Sequence, residues 1–137
     1  MTFTVNNLNN LETRPAAVLF DLDNTLYQYR PAHEAGMRSI LQKAETKFGI
    51  DPYDFKSVFM RAREDIKHQL GSAASSHSRL LYFQRTLEYL GLRSQVVLSL
   101  EFEQTYWRNF LSAIELREGV TEFLDLLSRI SIPKVIV

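Results

Sequence analysis

The apolar run Ala17-Val18-Leu19-Phe20 stops abruptly at Asp21, and the chain continues Asp21-Leu22-Asp23-Asn24-Thr25. An uninterrupted apolar run of this length predicts a short strand buried on both faces of a parallel sheet. Open α/β sheets bind their ligands beyond the carboxyl ends of such strands, which is where the two carboxylates emerge. A second strand is expected at the far end, where Lys134-Val135-Ile136-Val137 follows Pro133. Two strands cannot complete an α/β core, because a parallel pair needs further strands and helices over both faces. The sequence therefore reads as an N-terminal portion of a larger protein.

Between the strands the pattern is helical. Pro31 to Phe48 places Met37, Ile40, Leu41, Ala44 and Phe48 at helical spacing, with Pro31 in the first turn and Gly49 at the C-terminal cap. Asp51 and Pro52 open a second helix with the stripe Phe55, Val58, Phe59, Ala62 and Ile66, ending near Gly71. The segment 71–76, GSAASS, is small and flexible in composition, and its serines suit the cap of a third helix at about 77–90. That helix offers Leu80, Phe83, Leu87 and Leu90 for burial. Ser94 is the expected cap of a fourth helix burying Val97, Leu100, Trp107, Phe110 and Leu111. A fifth, about 119–130, buries Val120, Phe123, Leu124 and Leu127. The expected organisation is a flexible tail over 1–14, core segments at 15–29 and 116–137, and a helical insertion over 30–115.

Composition narrows the function classes. Sixteen basic residues balance sixteen acidic ones, so the chain as a whole gives no electrostatic footprint for nucleic acid or an anionic membrane. The absence of cysteine excludes disulfides, thiol nucleophiles and cysteine-held metals. His33, His68 and His77 show no metal-ligand spacing. No stretch approaches the roughly 18 apolar residues of a membrane span, and the N-terminus lacks a signal-peptide pattern, so a cytoplasmic protein is the default expectation.

Two adjacent carboxylates repel when both are ionised. A divalent cation relieves that repulsion, and an all-oxygen donor set suits magnesium; alternatively one acid stays protonated, giving a nucleophile beside a general acid. A competing reading is a surface turn whose Asp and Asn cap a helix.

With AVLFDLDNTLY, an apolar strand followed by Asp-x-Asp-x-Thr and then a helical insertion, the sequence resembles the haloacid dehalogenase superfamily. The resemblance implies a fold of α/β class, a partial Rossmann-like core of two strands and a helix with an inserted four-helix cap. It implies that Asp21 is the nucleophile and Asp23 the general acid/base. It also implies that Asp21 and Asp23 hold Mg2+, the second through its backbone carbonyl, that the amides of Leu22 and Asp23 face the phosphate, and that Thr25 braces the loop. Asp23 favours phosphate-ester hydrolysis over dehalogenation, since a departing alkoxide needs a proton and a halide does not. The implied activity is hydrolysis of a small phosphorylated metabolite. The alternatives are a phosphomutase or dehalogenase of the same superfamily, or a non-catalytic helical interaction module. In the superfamily the later motifs follow a strand such as the one expected at 134–137 and are not among these residues, so the 137-residue chain alone is expected to be inactive.

Beyond the acid pair, Arg30, His77 and Arg79 are candidates for substrate contact, although His77 and Arg79 read first as a solvated first helical turn. Tyr27, Tyr29 and His33 read as loop packing, with a place at the site entrance as the alternative.

Overall fold

The computed structural model describes residues 14–93 and 95–137. The flexible-tail expectation, apart from Arg14, and the expected cap at Ser94 lie outside the described residues. In chain order the elements are β1 (Val18–Phe20), α1 (Tyr29–Phe48), α2 (Pro52–Leu70), a 3-10 turn (Ala74–His77), α3 (Arg79–Tyr89), α4 (Val96–Ser112), α5 (Val120–Arg129) and β2 (Lys134–Ile136). They fall into two compact units: the described residues up to Tyr29 together with Glu115–Val137, and Arg30–Ile114.

In the first unit β1 and β2 pair in parallel, with Val18 opposite Lys134, Leu19 opposite Val135 and Phe20 opposite Ile136. Phe20 is buried with Leu127 of α5 and Ile132, and Val18, Leu26 and Leu124 pack against them. The Phe20 ring meets Phe123 edge-on, centroids 6.1 Å apart. The expectation of a strand buried on both faces is corrected here. Side chains alternate across a strand, and Leu19, facing away from Phe20, is 64% exposed, as are all the residues of β2 in large part. Within the described residues α5 packs on one face, which leaves Leu19 uncovered. Phe123, expected to be buried, is half-exposed.

The second unit is helical throughout its described elements. Asp51 caps α2 as its sequence position suggests, its carboxylate accepting from the amides of Tyr53 at 2.8 Å and Asp54 at 3.2 Å, with Pro52 in the first turn. Gly49 ends α1 at φ 63°, a left-handed conformation that glycine adopts without steric cost. The cap of α3 is Ser78, whose hydroxyl accepts from the Leu81 amide at 3.4 Å. Of the serines of 71–76, expected in that role, Ser72 precedes the 3-10 turn and Ser75 and Ser76 lie within it.

The interior of this unit is aromatic. Phe55, Phe59, Ala62 and Ile66 of α2 are buried as their spacing predicts, against Tyr82, Phe83 and Leu87 of α3 and Phe102, Tyr106 and Phe110 of α4. The expected stripe on α4 is a correction: Val97, Leu100, Trp107 and Leu111 are exposed, and of that set Phe110 alone is buried. α4 carries apolar residues on two faces, and the face with Phe102 and Tyr106 packs because its rings interlock with those of α2 and α3. Where α1 meets α4, a Cβ on Gly36 would lie 2.8 Å from the Tyr106 ring and 3.1 Å from its carbonyl oxygen, so glycine is what allows this close approach.

His33, read as loop packing although it falls inside the helix expected from Pro31, lies on α1 with Nδ1 2.7 Å from the Tyr106 hydroxyl. Burial pushes its pKa below the usual 6.5, and the positive charges of Arg79, Arg63 and Lys56 act in the same direction against a smaller opposing effect of Glu34. Between the lowered folded pKa and 6.5 the unfolded chain holds a proton that the folded chain does not, so stability falls as pH drops through that window. The urea midpoint is therefore expected to be lower at pH 5.5 than at pH 7.5, and the difference to shrink in His33→Gln. An unchanged pH dependence in that variant would remove His33 as its source.

Candidate active site

The chain leaves β1 at Phe20 and turns at once. The Leu22 carbonyl accepts from the amides of Thr25 at 3.2 Å and Leu26 at 3.0 Å, closing a tight loop. Asn24 occupies the left-handed region at φ 62°, which asparagine tolerates better than most residues, and its Oδ1 accepts from the Tyr29 amide at 3.2 Å. The helix-capping reading of this turn therefore holds for Asn24 and the start of α1. It does not describe the side-chain hydrogen bonds of the two acids.

Each acid is held by a hydroxyl four residues further on. Thr25 Oγ1 donates to Asp21 Oδ2 at 2.9 Å, and the Tyr27 hydroxyl donates to Asp23 Oδ1. Both carboxylates are exposed, whereas Tyr27 is 8% exposed. Burial first, then the hydrogen bond to Asp23 and the nearby charge of Asp23 and Asp21, push the Tyr27 pKa up to about 12, so its hydroxyl is a donor throughout the neutral range. Tyr27 is itself fixed by backbone bridges to Asp23 and to Leu116, and the Arg117 amide donates to the Leu26 carbonyl at 2.9 Å. The segment entering α5 thus pins the acidic loop from outside the turn.

Tyr27 is the residue whose part in the site sequence reasoning undervalued. Its signal was the repeated four-residue offset, Asp21 with Thr25 and Asp23 with Tyr27. Leu22 is partly exposed at the turn. Arg30, His77 and Arg79 all lie in the second unit. Arg30 pairs with Glu34 at 2.8 Å on an exposed helix face, and His77 is exposed at the end of the 3-10 turn. The reading of Arg79 as a solvated first turn is corrected: it is half-buried, with its guanidinium 5.4 Å from the Tyr82 ring centroid and 5.6 Å from that of Tyr106. Those rings draw a cation inward through their π faces.

No cluster of three or more His, Asp or Glu side chains forms a cation site among the described residues. What the loop offers is an exposed pair of carboxyl groups hydrogen-bonded by uncharged hydroxyls, oxygen donors of the kind a hard cation takes. Residues 15–137 match the model of the haloacid dehalogenase-like hydrolase family. The chain belongs to the haloacid dehalogenase-like hydrolases. It is also 37% identical over 112 residues to the ribulose-1,5-bisphosphate 5-phosphatase of Halopiger xanaduensis, a match covering 81% of this chain and 47% of that protein. The chain thus spans about half the length of the curated relative it matches. Within this family the two strands and the helices of the structure correspond to a partial α/β core with a helical cap. None of the helices in the described residues is long and apolar enough to cross a membrane.

Proposed function

We propose that the natural polypeptide carrying these residues is a magnesium-dependent phosphatase that hydrolyses a small phosphorylated metabolite through an aspartyl-phosphate on Asp21. The observation that carries this reading is the loop at the end of β1, where Asp21 is braced by Thr25 and Asp23 by Tyr27. Asp21 is exposed and directly follows the strand, which suits a carboxylate nucleophile meeting phosphorus. Asp23, two residues on, supplies a proton to the departing alkoxide and then takes one from the water that opens the acyl-phosphate. Asp21 and the Asp23 carbonyl would hold Mg2+, whose charge offsets the repulsion between a carboxylate and a phosphate dianion. The amides of Leu22 and Asp23 are the proposed local donors to the phosphate oxygens, and Arg30, His77 and Arg79 remain candidate substrate contacts on the second unit.

The name of the relative puts sugar phosphates first among the substrates to try. In the full natural polypeptide, release of inorganic phosphate from sugar phosphates should require magnesium and stop with EDTA. Trifluoroberyllate with magnesium should be trapped on Asp21. A phosphoenzyme at another residue would sink the mechanism, and an isomeric sugar phosphate without phosphate release would indicate a mutase. The 137-residue chain alone is expected to turn over poorly, since much of the transition-state stabilisation in phosphoryl transfer comes from donors that the superfamily places in later motifs.

A further inference from the structure

We propose that Tyr27 is the positioning residue for the acid/base function of Asp23, holding its carboxyl group so that Oδ2 is the oxygen that gives and receives the proton. The inference rests on the phosphatase reading above and goes beyond it, to a residue outside the Asp-x-Asp-x-Thr pattern.

Three observations support it. The Tyr27 hydroxyl donates to Asp23 Oδ1, so that oxygen is engaged. Asp23 is exposed, and without a partner its side chain would sample several rotamers. Tyr27, by contrast, is 8% exposed and its backbone is bridged to both Asp23 and Leu116. A fixed, buried ring thus delivers a hydrogen bond to an exposed carboxyl. Effective proton transfer needs the donor oxygen held within hydrogen-bond reach of its target, about 2.6–3.2 Å, and a hydrogen bond from a rigid neighbour provides that restraint.

The proton balance is simple. In the first step Asp21 forms a bond to phosphorus, the bond from phosphorus to the ester oxygen breaks, and the proton on Asp23 Oδ2 passes to that oxygen. In the second, water attacks the phosphorus of the acyl-phosphate, its proton returns to Asp23 Oδ2, and the Asp21 carboxylate is released. The Tyr27 proton stays on Tyr27 throughout. Its hydrogen bond to Oδ1 keeps that oxygen in the acceptor role in both protonation states of Asp23.

The test is the dependence of kcat/KM on the leaving group in the full natural polypeptide, with p-nitrophenyl phosphate, whose phenolate leaves without a proton, and phenyl phosphate, which needs one more. Asp23→Asn should penalise phenyl phosphate far more than p-nitrophenyl phosphate. Tyr27→Phe keeps the buried ring and removes the hydroxyl, so it should show the same selectivity to a smaller degree, about tenfold further loss for phenyl phosphate, with KM little changed. An equal fall for both esters in Tyr27→Phe would mean a structural role alone, and no fall in either would mean no role; both overturn the proposal while leaving the phosphatase reading intact. If Asp23→Asn itself shows no leaving-group selectivity, the acid role of Asp23 fails and the proposal with it.

Discussion

Replacing Asp21 by Asn in the full natural polypeptide is expected to lower kcat/KM for phosphate monoesters by roughly 10⁴-fold or more while leaving the melting temperature unchanged. The two halves of this result have separate causes. An amide oxygen is a poor nucleophile toward phosphorus and carries no charge with which to hold a cation, so both proposed roles of Asp21 are lost together. The fold does not depend on the charge: Asp21 is exposed, and Thr25 Oγ1, which donates to Oδ2, can still donate to an amide oxygen in the same place, the weaker bond mattering little at an exposed site. Asp23→Asn should be milder, about 10²- to 10⁴-fold, because it removes proton transfer and leaves the nucleophile. Steady-state kinetics and thermal unfolding on the same preparations check both. Turnover by Asp21→Asn within tenfold of the parent would rule out Asp21 as the nucleophile.

The sequence made the acidic loop legible because its signal is local. An apolar run, a break at Asp21 and acids two residues apart fix where the turn falls, and the family match over 15–137 agrees with the resemblance drawn from that motif. Caps were legible for the same reason: Asp51 with Pro52 needs no tertiary information, and the observed bonds to Tyr53 and Asp54 follow from it. What failed was every inference that required knowing which of two apolar faces finds a partner. On α4 the stripe through Val97, Leu100 and Leu111 is as periodic as the one through Phe102, Tyr106 and Phe110, and Ser99 makes the latter look less apolar. Its hydroxyl is satisfied within the helix, donating to the Gln95 carbonyl at 2.9 Å, so burial of this polar residue is tolerated. The choice between faces was made by aromatic rings on other helices. Burial of β1 failed similarly, since a run of apolar residues cannot reveal that the Leu19 side chain stays largely exposed among the described residues. The place of Tyr27 in the loop is not legible in the sequence, because it depends on the partner of its hydroxyl and on the bridge to Leu116, nearly ninety positions away.

Phe102→Ala is expected to destabilise the helical unit by about 3–5 kcal/mol, close to the whole stability of many small domains. Phe102 is fully buried, stacked on Phe55 with centroids 5.5 Å apart, on Phe83 at 5.8 Å and on Phe48 at 6.2 Å, with the Lys43 ammonium 5.7 Å from its ring centroid. These neighbours come from α1, α2 and α3, so a single ring on α4 joins all four helices of the unit. Truncation removes the transfer free energy of the ring, and also leaves a cavity walled by other rigid rings, which cannot collapse into it without breaking their own stacking. Phe102→Leu should retain part of the volume and fall between the two. Val97 tests the opposite face of the same helix: it is 75% exposed, and Val97→Ser should change stability by no more than about 0.5 kcal/mol. Urea unfolding followed by far-ultraviolet circular dichroism, which this mainly helical chain reports well, measures all three variants. A larger loss from Val97→Ser than from Phe102→Ala would mean that α4 packs through the stripe its periodicity suggested, and that the aromatic face is the one turned to solvent.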